Sequence, residues 1–105
     1  MNTVIRDWFL VSVFDASDLV ERVLCGYVIY DARSHYLKDD FICTSNIIHI
    51  NSSNQLITTD SGNLYQTIEK GRHSKIYLEE FELLRIGFNP LQIEALRISP
   101  VLKIH

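Results

Sequence analysis

Runs of alternating or continuous apolar residues, broken by short polar stretches, organise the first three-quarters of the chain. Trp8 to Phe14 (WFLVSVF) is aromatic and β-branched, which predicts a strand buried on at least one face. Asp15-Ala16-Ser17-Asp18 interrupts it. Asp18 followed by Glu21 resembles a capping box and predicts a short helix to about Val23, although Val20 and Val23 suit a strand equally well. Leu24 to Tyr30 predicts a second strand, with Gly26 marking a bulge or a close backbone approach. Asp31 to Asp40 is polar and reads as a connecting loop. Phe41 to Ile50 predicts another strand, kinked near Thr44-Ser45-Asn46.

Asn51 to Asn54 is a turn by composition, and Leu56–Thr59 with Leu64–Ile68 flank Asp60-Ser61-Gly62-Asn63 as a β-hairpin. Glu69 to His73 reads as a further turn, and Ser74 to Leu78 as a short closing strand.

The periodicity then changes. Tyr77, Phe81, Leu84 and Phe88 fall on one helical stripe, and Gly87 sits where a left-handed residue ends a helix. Asn89 is a favoured N-cap, Pro90 suits the first helical position, and Gln92 is placed to reach back to the cap. Phe88 and Ile93 form a hydrophobic staple pair across that cap. Leu91, Ala95 and Ile98 are expected to carry the apolar face of the second helix, which Ser99-Pro100 ends. Val101 to His105 is a short apolar tail, expected as a final strand or a packed extension. The sum is an α+β fold of about five or six short, mainly antiparallel strands with a C-terminal helix–turn–helix hairpin, in one domain spanning residues 1–105.

Composition narrows the function classes. A chain of 105 residues buries roughly 65% of its unfolded surface, enough for one core without staples. Ten Lys and Arg against 13 Asp and Glu give a net charge of −3, which disfavours a non-specific nucleic-acid partner. The second predicted helix offers only Gln92 and Arg97, against Glu94, as base readers, so it reads as a core or interface helix. Met1 to Asp7 does not read as a signal peptide, and no window approaches the ~18 apolar residues of a membrane span, so a cytoplasmic setting without membrane contact is expected. In that setting Cys25 and Cys43 are free thiols, and Asn51-Ser52-Ser53 is a chance glycosylation match.

Each constellation that carries chemistry elsewhere is weak here. Cys25, His35, Cys43 and His49 lack the paired spacing of metal knuckles. Cys43 with His35 or His49 is conceivable as a nucleophile and base, but a structural thiol is the simpler expectation. Gly26, Gly62, Gly71 and Gly87 are too dispersed for a phosphate loop. Asp39-Asp40 and Glu79-Glu80 are adjacent acids that point apart, the first in a turn and the second beside Glu82 at a helix start. No catalytic residue, cofactor or metal is therefore expected. Tyr27, Tyr36 and Tyr65, with Tyr30, are the candidate interaction face for a protein partner or a second copy of the chain. The alternative is a small ligand-binding domain or enzyme with a sheet-lined pocket using Tyr, His35 and Cys43.

Two stretches, VIYDARSHYLKDDFICTS (Val28 to Ser45) and ITTDSGNLYQTIEKGR (Ile57 to Arg72), resemble a small bacterial and phage family of unknown function. Asp31, Arg33, Tyr36 and Phe41 fit its pattern, as do Asn63 to Tyr65 and Gly71-Arg72. Asp39 stands where the family usually has Gly, and Asn46 where it commonly has Pro. The resemblance covers less than half of the chain. It implies a compact β unit, an SH3-like half-barrel, in an accessory protein of phages, integron cassettes or other mobile elements, such as an immunity protein or an inhibitor of a host defence. It implies no activity.

Overall fold

The computed structural model describes residues 2–98. Two long strands dominate it: β1 (Asn2–Asp15) and β2 (Asp18–Asp31) form an antiparallel hairpin. Ala16, at φ +54, turns the chain so that Asp15 faces Asp18 across the hairpin. The short helix expected from Asp18 to Val23 is therefore absent, and this stretch is the start of β2. A six-residue helix gains few backbone bonds for its nucleation cost. Pairing with β1 instead places Val23, Leu24 and Cys25 fully inside. Three register shifts, at Val4/Ile5, Arg6/Phe9 and Val13/Phe14, interrupt the ladder along the hairpin's length.

The remaining strands are short: β3 (Phe41–Cys43), β4 (Ile47–Asn51), β5 (Leu56–Thr59), β6 (Leu64–Thr67) and β7 (Arg72–Tyr77). The seven-stranded open sheet runs β3-β2-β1-β6-β5-β4, with β7 also on β1. The predicted Phe41–Ile50 strand is split into β3 and β4 at the anticipated kink, and the β5–β6 hairpin forms as expected. The parallel pairings were not anticipated: β6 lies alongside Asn2–Ile5 of β1 and β7 alongside Phe9–Phe14. Strand number and length also differ from the expectation of five or six short strands.

A one-turn 3₁₀ segment, Leu78–Glu80, leads into α1 (Phe81–Arg85), and α2 follows at Pro90–Ile98. Tyr77 belongs to β7 and Phe88 to the inter-helix turn, so the first helix is shorter than its apolar stripe. The hinge is built as the sequence indicates. Gly87 has φ +112, the Gln92 amide donates to Asn89 Oδ1 at 2.9 Å, and the Asn89 amide donates to Gln92 Oε1 at 2.8 Å. The inward face of α2 differs from the expected one: Ile93 is fully buried, whereas Leu91 is 49% exposed and Ala95 is exposed. The approach of α2 to β7 is pinned by Arg97, which grips Glu80 at 2.5 and 2.6 Å and donates to the Lys75 carbonyl at 3.0 Å. The expected helix end at Ser99-Pro100 and the Val101–His105 tail lie outside the described residues.

Alternation along β2, together with the Arg6/Phe9 register shift that reverses the facing of β1, divides the interior into two. Phe9, Val11, Val13, Val23 and Cys25 face Ile76, Leu84 and Ile93 under the helical hairpin. Ile5, Leu24 and Val28 face Ile42, Ile47, Ile57 and Tyr65 inside the curl of β4–β6.

Candidate functional site

The sheet is irregular where β1 passes from β6 to β7. Asp7 takes φ +48 within the Arg6/Phe9 register shift, and on the other side the chain from Ile68 to Gly71 leaves β1 before rejoining it as β7. Trp8 fills this break. Its indole N–H donates to the Ile68 carbonyl at 2.9 Å. Gly71 lies against the indole so closely that a Cβ there would sit 2.3 Å from a ring carbon. Gly26 is packed opposite on β2, where an added Cβ would meet the Arg6 carbonyl and Trp8 Cβ at 3.1 Å, which is the close approach its position in the strand suggested.

Two depressions flank Trp8 and share Lys70 as a wall. The smaller, about 340 Å³, lies towards the helices and is bordered by Asp7, Tyr27, Arg72 and Asn89. The larger is an open groove of about 620 Å³. Trp8, Leu10, Ile50 and Ile57 give it an apolar floor, and Asn51, Gln55 and Thr67 form part of its rim. Arg22, Lys70 and His73 supply its basic side and Glu69 its one carboxylate. By strand alternation Lys75 continues the same sheet face from His73. Its ammonium lies 4.7 Å from the centre of the Phe14 ring and 5.4 Å from that of Tyr77. Among the described residues, Arg22, Lys70, His73 and Lys75 make no ion pair with a carboxylate. Elsewhere, Arg6 donates to Asp7 and Asp39 and lies over Tyr27, and Arg97 is bound to Glu80, while Arg33, Lys38, Arg72 and Arg85 likewise make no ion pair among the described residues; what sets the groove cations apart is their place beside its apolar floor.

The three tyrosines expected to form one interaction face are not brought together as one. Tyr65 is a core residue, 3% exposed, and burial pushes its phenol up. Tyr36 packs against the same cluster from the 31–40 loop. Tyr27 lies on the other side of β2, tilted against Phe41 at 5.2 Å and accepting from Asn89 Nδ2 at 3.3 Å. Parity in the strands decides this, because Tyr27 shares the face of Cys25 whereas Val28 shares that of Tyr65. Tyr30 is exposed. His35 is exposed in the loop and His49 exposed on β4. Cys43 instead faces Cys25 across the strands, and the charged groups that influence it are Arg85 and Glu21. Among the described residues no group of three or more His, Cys, Asp or Glu is arranged to hold a metal ion.

Asp31 has a structural task. Its Oδ1 accepts from the Thr3 hydroxyl and the Arg33 amide, and its Oδ2 accepts from the His35 and Tyr36 amides at 2.7 and 3.0 Å. Burial pushes this carboxyl up, but the donors from Thr3, Tyr36, Arg33 and His35 outweigh it and hold the group below its usual range. The two polar side chains of α2 considered as base readers are engaged as well, Gln92 in the cap and Arg97 on Glu80.

Sequence reasoning missed the groove. Its signal was present in Trp8 and Gly71, a large ring and a residue without a side chain, but nothing local says that they touch across 63 positions. Among the described residues no helix is long and apolar enough to cross a membrane. Compared with known proteins, the chain matches no family model, no curated protein and no solved structure.

Proposed function

We propose that the chain is a non-enzymatic binding domain whose groove beside Trp8 receives an acidic, partly apolar segment of a protein partner. One observation carries this reading: an uncovered sheet face joins an apolar floor to Arg22, Lys70, His73 and Lys75, none of them in an ion pair among the described residues, in a chain whose net charge is −3. Unpaired cations beside a half-buried aromatic and aliphatic floor favour a carboxylate-bearing partner through steering and contact alike. Glu69 and His73 line the same groove, and among the described residues neither side chain makes a hydrogen bond that would orient it for acid–base work.

A second reading, a small-molecule ligand in the same groove, is favoured by its volume of about 620 Å³, within the roughly 300–1,000 Å³ common for such sites. We further read the chain as an accessory protein of a mobile element, such as an immunity protein or an inhibitor of a host defence, from the family resemblance, and as cytoplasmic from its composition. The likeness is supported by Asp39, whose φ of +73 is a conformation that the glycine usual at that position adopts without strain. We also read the return of β4 towards β2, where Asn46 accepts from the Arg22 and Asp60 amides, as an SH3-like half-barrel.

Selection of displayed random peptides against the whole protein tests the reading. Enriched peptides should be rich in Asp and Glu with interspersed apolar residues, and Arg22→Glu with Lys70→Glu should abolish their binding without lowering Tm. Peptides that bind this double variant equally well, or a homodimer in sedimentation that buries the face, would replace the proposal.

A further inference from the structure

Cys25 and Cys43 stand directly opposite each other on neighbouring antiparallel strands. The ladder around them defines the kind of site. The Thr44 amide donates to the Leu24 carbonyl at 2.9 Å and the Val28 amide to the Asp40 carbonyl at 2.8 Å, so Leu24/Thr44 and Val28/Asp40 are hydrogen-bonded pairs. With alternation, Cys25/Cys43 is a non-hydrogen-bonded pair, the narrow position where Cα atoms are about 4.5 Å apart and side chains closest. That spacing falls at the short end of the ~4.4–6.8 Å that a disulfide spans. Both side chains point towards the core under the helical hairpin, and both are free thiols.

The two thiols differ in access. Cys25 is fully buried on β2, next to the centre of the sheet. Cys43 is half-buried on β3, the outermost strand at its end of the sheet. The neighbouring Cys25 thiol pulls the Cys43 thiol down and Arg85 assists, against burial, and Cys43 Sγ donates to the Thr44 carbonyl at 3.9 Å. The facing Cys43 thiol and deep burial push Cys25 up. A half-buried thiol on an edge strand, with a fully buried one directly opposite it, is the arrangement of an attacking and a resolving cysteine.

We propose that Cys43 and Cys25 form a thiol–disulfide exchange site that reacts with a low-molecular-weight disulfide such as oxidised glutathione and closes to an intramolecular bond. In the first step the Cys43 thiolate attacks one sulfur of the small disulfide. A Cys43–glutathione bond forms, the glutathione S–S bond breaks, and one glutathione thiolate leaves with the electron pair. In the second step Cys25, giving up its proton to solvent or to the departing thiolate, attacks the Cys43 sulfur, and the second glutathione leaves. One oxidised glutathione is reduced to two thiols, and the protein dithiol is oxidised to one disulfide. The product ties edge strand β3 covalently to β2, and a dithiol reductant reverses it.

Mass spectrometry of the native full chain incubated with oxidised glutathione tests this. The expected product has lost two hydrogens, carries no glutathione, joins the tryptic peptides Val23–Arg33 and Asp39–Lys70, and reverts with dithiothreitol. Cys25→Ala should retain one glutathione on Cys43, and Cys43→Ala should stay unmodified until denatured. Glutathione persisting on Cys43 of the wild-type chain, a disulfide between two chains, or native thiols that react only in denaturant would each overturn the proposal. The wild-type result decides it even where a variant does not fold.

Discussion

Replacing Asn89 by alanine probes the hinge on which the helical layer is mounted. Asn89 makes two separable contributions. Its Oδ1 accepts from the Gln92 amide at 2.9 Å, an N-cap contact worth ~1 kcal/mol. Its Nδ2 donates to Tyr27 Oη at 3.3 Å, a long, part-buried bond worth about 0.5 kcal/mol. Asn89→Ala should therefore cost about 1.5 kcal/mol, which for a domain of this size lowers Tm by roughly 6–12 °C. Asn89→Ser keeps an oxygen at the cap and loses the tyrosine contact, so it should cost only about 0.5 kcal/mol. Urea unfolding measures both, with an unchanged slope showing that the states compared are the same. If serine and alanine were equally damaging, or alanine harmless, the cap would not be holding α2 and the reasoning would fail.

Three further outcomes test other parts of the structure. Gly71→Ala should destabilise by about 1–3 kcal/mol in chemical denaturation, because its Cβ would overlap the Trp8 ring; a neutral result would show that the indole is not packed on that glycine. Ala16→Gly should stabilise the hairpin by about 0.5–1 kcal/mol, since glycine adopts the positive φ without strain and that relief exceeds its extra unfolded-state entropy; lower stability in the same assay would argue against the left-handed turn. The Arg97 hydrogen bond holds the Glu80 carboxyl below its ordinary range, so its contribution is complete above the unfolded value of about 4.3 and is lost as pH falls through the folded one. Urea midpoints from pH 6 to pH 3, a span bracketing that value, should fall less steeply for Glu80→Gln than for the wild-type chain, and parallel curves would contradict the pairing.

What was legible in the sequence was local. Gly87, Asn89, Pro90 and Gln92 lie within six positions, and their capping contacts depend on nothing distant, so the hinge could be read directly. The turn chemistry around Gly62 announced the β5–β6 hairpin for the same reason. Where local and distant preferences conflict, the distant ones prevail. Asp18 and Glu21 carry a helix-start signature, yet pairing with β1 makes this segment a strand. The burial of Tyr65 follows from parallel pairing of β6 with β1, between residues more than 60 positions apart, which no turn or cap encodes. Opposition of Cys25 and Cys43, and contact of Trp8 with Gly71, likewise depend on register across strands.

The most direct measurement is an amide and indole chemical-shift map of the isotopically labelled protein, titrated with an acidic peptide obtained by display. A partner seated on the open sheet face should move the Trp8 indole N–H and the amides of Arg22, Lys70, His73 and Lys75, leaving α2 unperturbed. Shifts centred on Leu91 and Ala95 of α2 would put the binding surface on the helical side and contradict the account.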